Sequence, residues 1–244
     1  MDTIIIDGLS FALPLFIIAI GGIYSEKSGI TNLALEGFQG FGAFTGALAA
    51  VLIANALGTD IQNLFYVALL FAMLGGMAFS VIHAVLSIKF KADQVISGVV
   101  INILALALTT FLTTQINSLV FGTASDKFQL GVSQRFTIEW LADIPVIGAI
   151  FTNVYPFEVI IVVIAVFAWY LLYKTRYGMR LRACGENPHS VDTAGVDVAK
   201  IRFSAVLVSG LLSGLGGMCF AYSISANFSS SIYMGYGFLA IAAL

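Results

Sequence analysis

Six stretches of this chain contain no Asp, Glu, Lys or Arg: Gly8–Ser25, Gly37–Thr59, Ile61–Ile88, Gln94–Ser125, Val159–Tyr173 and Phe203–Leu244. A bilayer hydrocarbon core of about 30 Å takes roughly 20 helical residues at about 1.5 Å each. Runs of that size, separated by short charged intervals, admit few folds other than a bundle of membrane-crossing helices. Composition agrees: 59% of the 244 residues are hydrophobic and 10% are charged, where a soluble domain carries about 25% charged residues. This composition excludes nucleic-acid recognition, a secreted disulfide scaffold and a soluble enzyme as readings of the whole chain. Strand-like alternation is absent, which argues against a transmembrane β-barrel. The expected fold is therefore all-α: a polytopic transmembrane helical bundle forming a single domain over 1–244. Spans are predicted near 5–23, 37–57, 63–88, 94–114, 155–173 and 203–223, with a seventh starting around Gly237.

Charge placement orients the spans. Segments 24–30, 89–93 and 174–202 fall on one side and hold Lys27, Lys89, Lys91, Lys174, Arg176, Arg180, Arg182, Lys200 and Arg202, nine of the eleven basic residues. Lys127 and Arg135 lie on the other side. Cytoplasmic loops carry the excess of Lys and Arg, so 174–202 is expected in the cytoplasm. The N-terminus, Asp60 and the segment 115–154 are expected outside. The start, MDTIIIDG, lacks the basic region of a cleavable signal and reads as part of the first span. The sequence stops within the apolar run GYGFLAIAAL, from which we expect further spans past Leu244.

Catalytic chemistry finds little support. There is no G-x-x-x-x-G-K-[ST] phosphate loop. His83 and His189 are the only histidines, so a His/Cys metal site is not expected, and neither is a cofactor. A serine hydrolase built on Ser213 would need a histidine base within reach. His189 sits in a loop, and His83 reads as packing near a span end. Cys184 and Cys219 belong to a loop and a span, so no disulfide is expected between them. Gly210, Ser213, Gly214, Gly216 and Gly217 include a G-x-x-x-G at 210/214, the spacing by which helix backbones approach closely in lipid. Gly75 and Gly76 read the same way.

The segment 174–202 is the most informative polar stretch. Asn187 followed by Pro188 has the form of a helix N-cap with proline at the first helical position, and Gly195 that of a helix stop. Val191 and Ala194, three apart, are expected to share an apolar face suited to a partner's groove. An ordinary basic loop is the alternative. Within the spans, two polar stripes are candidates for a substrate path. Asn32, Glu36 and Gln39 are spaced for one helical face, as are Gln94, Gly98 and Asn102, with Thr109 beyond. Polar groups in a span turn inward from lipid. Gly29 and Gly37 flank the first stripe and are expected to let that segment break. Hydrogen bonding between helices is the alternative use of the same residues, and Glu36 has a possible partner in Lys27.

Three blocks carry a family resemblance: SEKSGITNLALEG (25–37), KADQVISGVVINILALALT (91–109) and TRYGMRLRACGENPHSVDTAG (175–195). Together they resemble permease subunits of ATP-binding-cassette importers, in the branch serving ribose-type sugars and branched-chain amino acids, and within it the nucleoside and simple-sugar permeases. The resemblance implies a multi-pass subunit of the cell membrane that contacts lipid. It also implies as partners a cytoplasmic ATP-binding subunit, a second permease that is identical or related, and an extracytoplasmic solute-binding lipoprotein. In that family the loop touching the ATPase corresponds here to Gly185, Glu186, Asn187, Pro188, Ala194 and Gly195. Ala34, Gln39 and Cys184 depart from the family pattern, and Gln39 bears on substrate identity. From the residues alone, an ion- or proton-coupled secondary transporter and a non-transporting scaffold remain open. The former class places several ionisable groups at mid-membrane depth, where this chain offers Glu36.

Overall fold

Helices form along the charge-free runs and end where polar residues begin. The computed structural model describes residues 2–123, 125–131, 135–142 and 148–244. The element order is α1 (Asp2–Lys27), α2 (Leu35–Leu57), α3 (Phe65–Ala84), α4 (Gln94–Phe121), β1 (Lys127–Gln129), α5 (Glu139–Ala142), α6 (Pro156–Lys174), α7 (Arg176–Glu186), α8 (Pro188–Thr193), α9 (Val198–Ile224), β2 (Asn227–Ser229) and α10 (Tyr236–Ala242). Helices α1 to α4, α6 and α9 are long and apolar enough to cross a membrane. They match the six expected spans: α1, α2, α4 and α9 run further, α6 is displaced by one residue, and α3 gives way to a π-helical turn at Val85–Lys89. Helix α4 continues to Phe121, so the start of the segment expected outside is helical. Helix α9 begins at Val198 because Asp197 caps it, accepting from the Lys200 amide at 3.0 Å.

Helix α9 is the hub. Of its most apolar window 72% is buried, against 28–44% for the other five spans. Its small residues explain this. A Cβ on Gly210 would strike Ser80 and the Gly76 carbonyl, and one on Gly214 would strike the Ala72 carbonyl. Gly216 takes Ile18 of α1, and Gly217 lies on the Gln39 backbone of α2. Gly42 of α2 faces Gly214, and Gly75 of α3 accepts Thr45. Three helices thus approach α9 at backbone distance, the role expected of these glycines, and van der Waals packing rather than water release holds them there.

The loops collect at two ends. At one end Lys27, Lys91, α7, α8 and the start of α9 lie together. At the other, β1 and β2 pair antiparallel, with Phe128 opposite Phe228. Both rings are buried and lie 6.2 and 5.9 Å from Phe44.

Two stretches of non-helical backbone enter the bundle. Residues 28–34 separate α1 from α2, with Gly29 at φ +83° turning the chain. Helix α2 begins beside Gly22, five residues before α1 ends. The second stretch, 225–235, leaves α9 and turns back inward. Its Phe228, Ser229, Ser230 and Tyr233 are buried, and Tyr233 lies across Gly40. Helix α10 then starts against Glu36 and packs along α1, with Leu244 at Gly22. Its first residue, Tyr236, is one before the expected start of the seventh span. Irregular backbone at this depth is tolerated only where protein groups satisfy it.

Candidate functional site: a broken-helix centre and an exposed loop

Asn32, Gln94 and Asn102 gather at the first of these stretches, and Glu36 reaches the second. Asn32 is 1% exposed; its Oδ1 accepts from the Ala34 amide at 3.0 Å and its Nδ2 donates to Ser209 at 2.9 Å. Gln94 Oε1 accepts from the Thr31 amide at 2.7 Å. Asn102 bridges the break, accepting from Gly37 N and donating to Leu33 O, both at 2.8 Å. Three side-chain amides therefore supply the partners that residues 31–37 lack within a helix. Glu36 Oε2 accepts from Gly235 N at 2.9 Å, joining α2 to the residue that precedes α10.

The first stripe needs one correction. Asn32 does not lie on the helical face of Glu36 and Gln39, because its own side chain turns the backbone at Ala34 and α2 starts at Leu35. The break opens at Gly29. Gly37 stays helical and instead allows close approach to Ile101 and Asn102. Glu36 pairs with the Gly235 amide rather than with Lys27. Gln39 stands apart from the other four. It is fully buried toward Gly217 of α9, and among the described residues neither of its amide atoms has a hydrogen-bond partner. The second stripe does share a face. Gly98 meets Leu33 and Ala34, and Thr109 shares a 3.0 Å hydrogen bond with the Tyr233 hydroxyl.

Ser209, Tyr233 and Gly235 belong to this centre and were not legible beforehand. A serine in an apolar helix and a Ser/Gly-rich run after it carry no pattern that marks a buried polar centre. The one available signal was the complete lack of charge from Phe203 onward. His83 packs near a span end as expected, its Nδ1 3.0 Å from Ser97 Oγ. Among the described residues no three His, Cys, Asp or Glu side chains group as metal ligands.

The exposed loop lies at the basic end. Thr175 caps α7 by accepting from Gly178 N at 3.2 Å. Gly178 fits against the Leu171 and Leu172 carbonyls, where a side chain has no room. Leu181 and Cys184 point inward, and burial pushes the Cys184 thiol above the ordinary range. Asn187 caps α8 through Ser190 N at 3.1 Å with Pro188 first in the helix. Gly195 ends the turn with φ +77°. These are the expected cap and stop. Val191 and Ala194, however, do not share an exposed face: Val191 is 8% exposed and turns inward, while Ala194 faces solvent. The α8 turn ends at Ala194, so the three-residue helical spacing no longer applies to that side chain.

Glu186, Asn187, Ala194 and Gly195 are exposed and Pro188 partly so. A cleft of about 840 Å³ separates this loop from Ser87, Lys91 and Gln94. Gly185 rests on Lys27 and Gly29. Arg202 clamps the junction, donating from Nε to Ser28 O at 3.0 Å and from Nη2 to Cys184 O at 3.2 Å. The loop and the α1–α2 break are thus held by one guanidinium.

Comparison with known proteins agrees with this architecture. The chain is 41% identical over 237 residues to the guanosine ABC transporter permease protein NupQ of Bacillus subtilis, covering 97% of this chain and 72% of that protein. It is 39% identical over 250 residues to the nucleoside ABC transporter permease protein NupC of Lactococcus lactis, covering 100% of this chain and 75% of the relative. The putative glucose ABC transporter permease protein TsgC13 of Haloferax volcanii is 28% identical over 95% of this chain and 66% of its own length. No solved structure matches. Residues 4–244 match the family described as branched-chain amino acid transport system / permease component, and with its six apolar helices the chain belongs to that family as a multi-pass protein of the cell membrane.

Proposed function

We propose that this chain is the pore-forming permease of a nucleoside importer, simple sugars being the next substrate class, driven by ATP hydrolysis on a separate cytoplasmic subunit. The names of the two relatives above 35% identity support the substrate class. The missing phosphate loop supports a separate ATPase. A second permease, identical or related, completes the pore, and a lipoprotein receptor delivers the solute. The nine-to-two division of basic residues supports a cytoplasmic 174–202 loop and an outer 115–154 segment.

The observation that carries the mechanism is the Arg202 clamp. A partner drives a conformational change only through a contact that differs between states. An ATPase seated on Glu186, Asn187, Pro188, Ala194 and Gly195 moves α7 and α8. Gly185 and Arg202 pass that movement to residues 28–34. The break moves the first turn of α2, which carries Glu36 against Gly235. Asn32, Gln94 and Asn102 shape the path by holding its broken backbone. The Gln39 amide, unpaired among the described residues, has both donor and acceptor capacity for a neutral, hydroxyl-rich solute. The test is uptake of labelled guanosine and ribose by cells carrying this permease with its ATPase and receptor. Saturable guanosine uptake that disappears with the ATPase supports the assignment. Uptake that persists without the ATPase and collapses with a protonophore would replace it by ion coupling.

A further inference from the structure

Helices α1 and α6 enclose an apolar groove of about 460 Å³ between Phe16, Ile20 and Ile23 on one wall and Val162, Ala165 and Leu172 on the other. The Tyr24 hydroxyl donates to the Ala168 carbonyl at 2.5 Å and so has no polar demand left in the groove. Phe16, Val166 and Trp169 are 51, 60 and 53% exposed, so nothing described covers this face. From Val162 to Tyr173 the groove follows α6 for about 17 Å. That is close to the depth of one leaflet, half of a hydrocarbon core of about 30 Å.

Its end at the basic side is charged. The Lys174 ammonium sits 5.6 Å from the centre of the Trp169 ring and the Arg182 guanidinium 5.1 Å from that of Tyr173. Lys27 and Arg182 share the adjoining recess with Glu26 and Glu186. Glu26 is turned toward the α1–α2 break, where its carboxylate accepts from Asn32 N at 3.3 Å. Among the described residues neither acid forms an ion pair with Arg182, and the buried Arg182 Nε has no hydrogen-bond partner. A desolvated guanidinium N–H is costly without an acceptor, and phosphate oxygens match its fork.

We propose that this groove is a binding site for an anionic phospholipid of the inner leaflet, one acyl chain along α1 and α6 and its phosphate on Arg182, with Lys174 and Lys27 adding charge. The cytoplasmic leaflet supplies anionic lipid, and basic pockets between helices on that side are suited to its headgroups. The site depends on the orientation proposed above, which cysteine labelling of the two ends tests separately. Because Arg182 belongs to α7, the lipid would brace the element leading into the exposed loop.

Trp169 lines the groove and reports on it. The assembled transporter is placed in phosphatidylcholine bilayers containing phosphatidylglycerol, with bromine on the chains of one lipid or the other. The Trp169 signal is the difference between the unaltered assembly and Trp169→Phe. We expect brominated phosphatidylglycerol to quench it with about a fivefold local preference over phosphatidylcholine, the order set by a basic residue near the membrane surface. Arg182→Gln with Lys174→Gln abolishes that preference without changing quenching by phosphatidylcholine. Ala165→Phe, which fills the groove and keeps the charges, lowers quenching by both lipids. Equal quenching by the two lipids in the unaltered protein overturns the proposal. So does a preference that survives the double substitution, or a lack of quenching by either lipid, which would mean that protein covers the groove.

Discussion

Asn102 and Gln39 are both amides on inward helix faces, yet their environments are opposite. Asn102 satisfies two backbone groups of the break. In Asn102→Ala, Gly37 N and Leu33 O lose their partners at a cost of about 1–3 kcal/mol each. We expect a clearly lower unfolding temperature of the purified transporter, with Asn102→Asp falling between. Gln39 has no partner to lose among the described residues. Gln39→Leu should leave the unfolding temperature unchanged or raise it while weakening guanosine uptake; unchanged uptake would remove Gln39 from the path. The spacing of Gln94 and Asn102 in an apolar helix was enough to turn them inward. What they bond to was not legible, because the acceptors and donors are backbone groups of a break that side-chain periodicity does not encode. Asn32 shows the same limit: its spacing suggested a helical face, but its side chain is what ends the possibility of helix there.

At the scale of elements, lack of charge located the six spans found among the described residues, and Asn187, Pro188 and Gly195 located α8. Helix α7 escaped notice because Arg176, Arg180 and Arg182 give it the composition of a basic loop, although Thr175 caps it and Leu181 and Cys184 anchor it. The re-entrant 225–235 stretch escaped because its serines and glycine look like any surface connection. Two predictions belong here. Gly195 holds φ +77° in open space, so Gly195→Val meets backbone strain rather than a clash, at about 1–2 kcal/mol. The membrane part should remain folded while ATP hydrolysis and uptake lose their linkage; retained linkage would mean that the α8 turn does not transmit motion. For orientation, single cysteines at Asp60 and Lys200 are treated with an impermeant maleimide on intact cells. Both native cysteines are buried, and the raised Cys184 thiol keeps its reactive thiolate scarce at neutral pH. Labelling at Asp60 alone is expected, and labelling at Lys200 alone would invert the bundle.

For the whole molecule, the glycine-faced hub of α9 fixes three helices, while the start of α2 meets the second broken stretch at Glu36 and Gly235. Rigid packing on one side and interrupted backbone on the other would let residues 28–34 and α10 shift while the α9-packed helices stay together. Gly210→Leu tests the rigid part. It drives a large side chain into Ser80 and the Gly76 carbonyl, and overpacking of about 1–3 kcal/mol or more should abolish assembly before it alters transport. We propose that motion imposed on the exposed loop reaches the path through the Arg202 clamp. The most direct measurement of this coupling is guanosine uptake per ATP hydrolysed in proteoliposomes holding the complete transporter, compared between the unaltered protein, Pro188→Asp with Ala194→Asp, and Arg202→Gln. We expect the loop variant to lose ATPase docking and uptake together, and Arg202→Gln to keep docking and hydrolysis while uptake per ATP falls about tenfold or more, a coupling of roughly 1–3 kcal/mol. Normal uptake per ATP in Arg202→Gln, with the complex intact, would contradict the account.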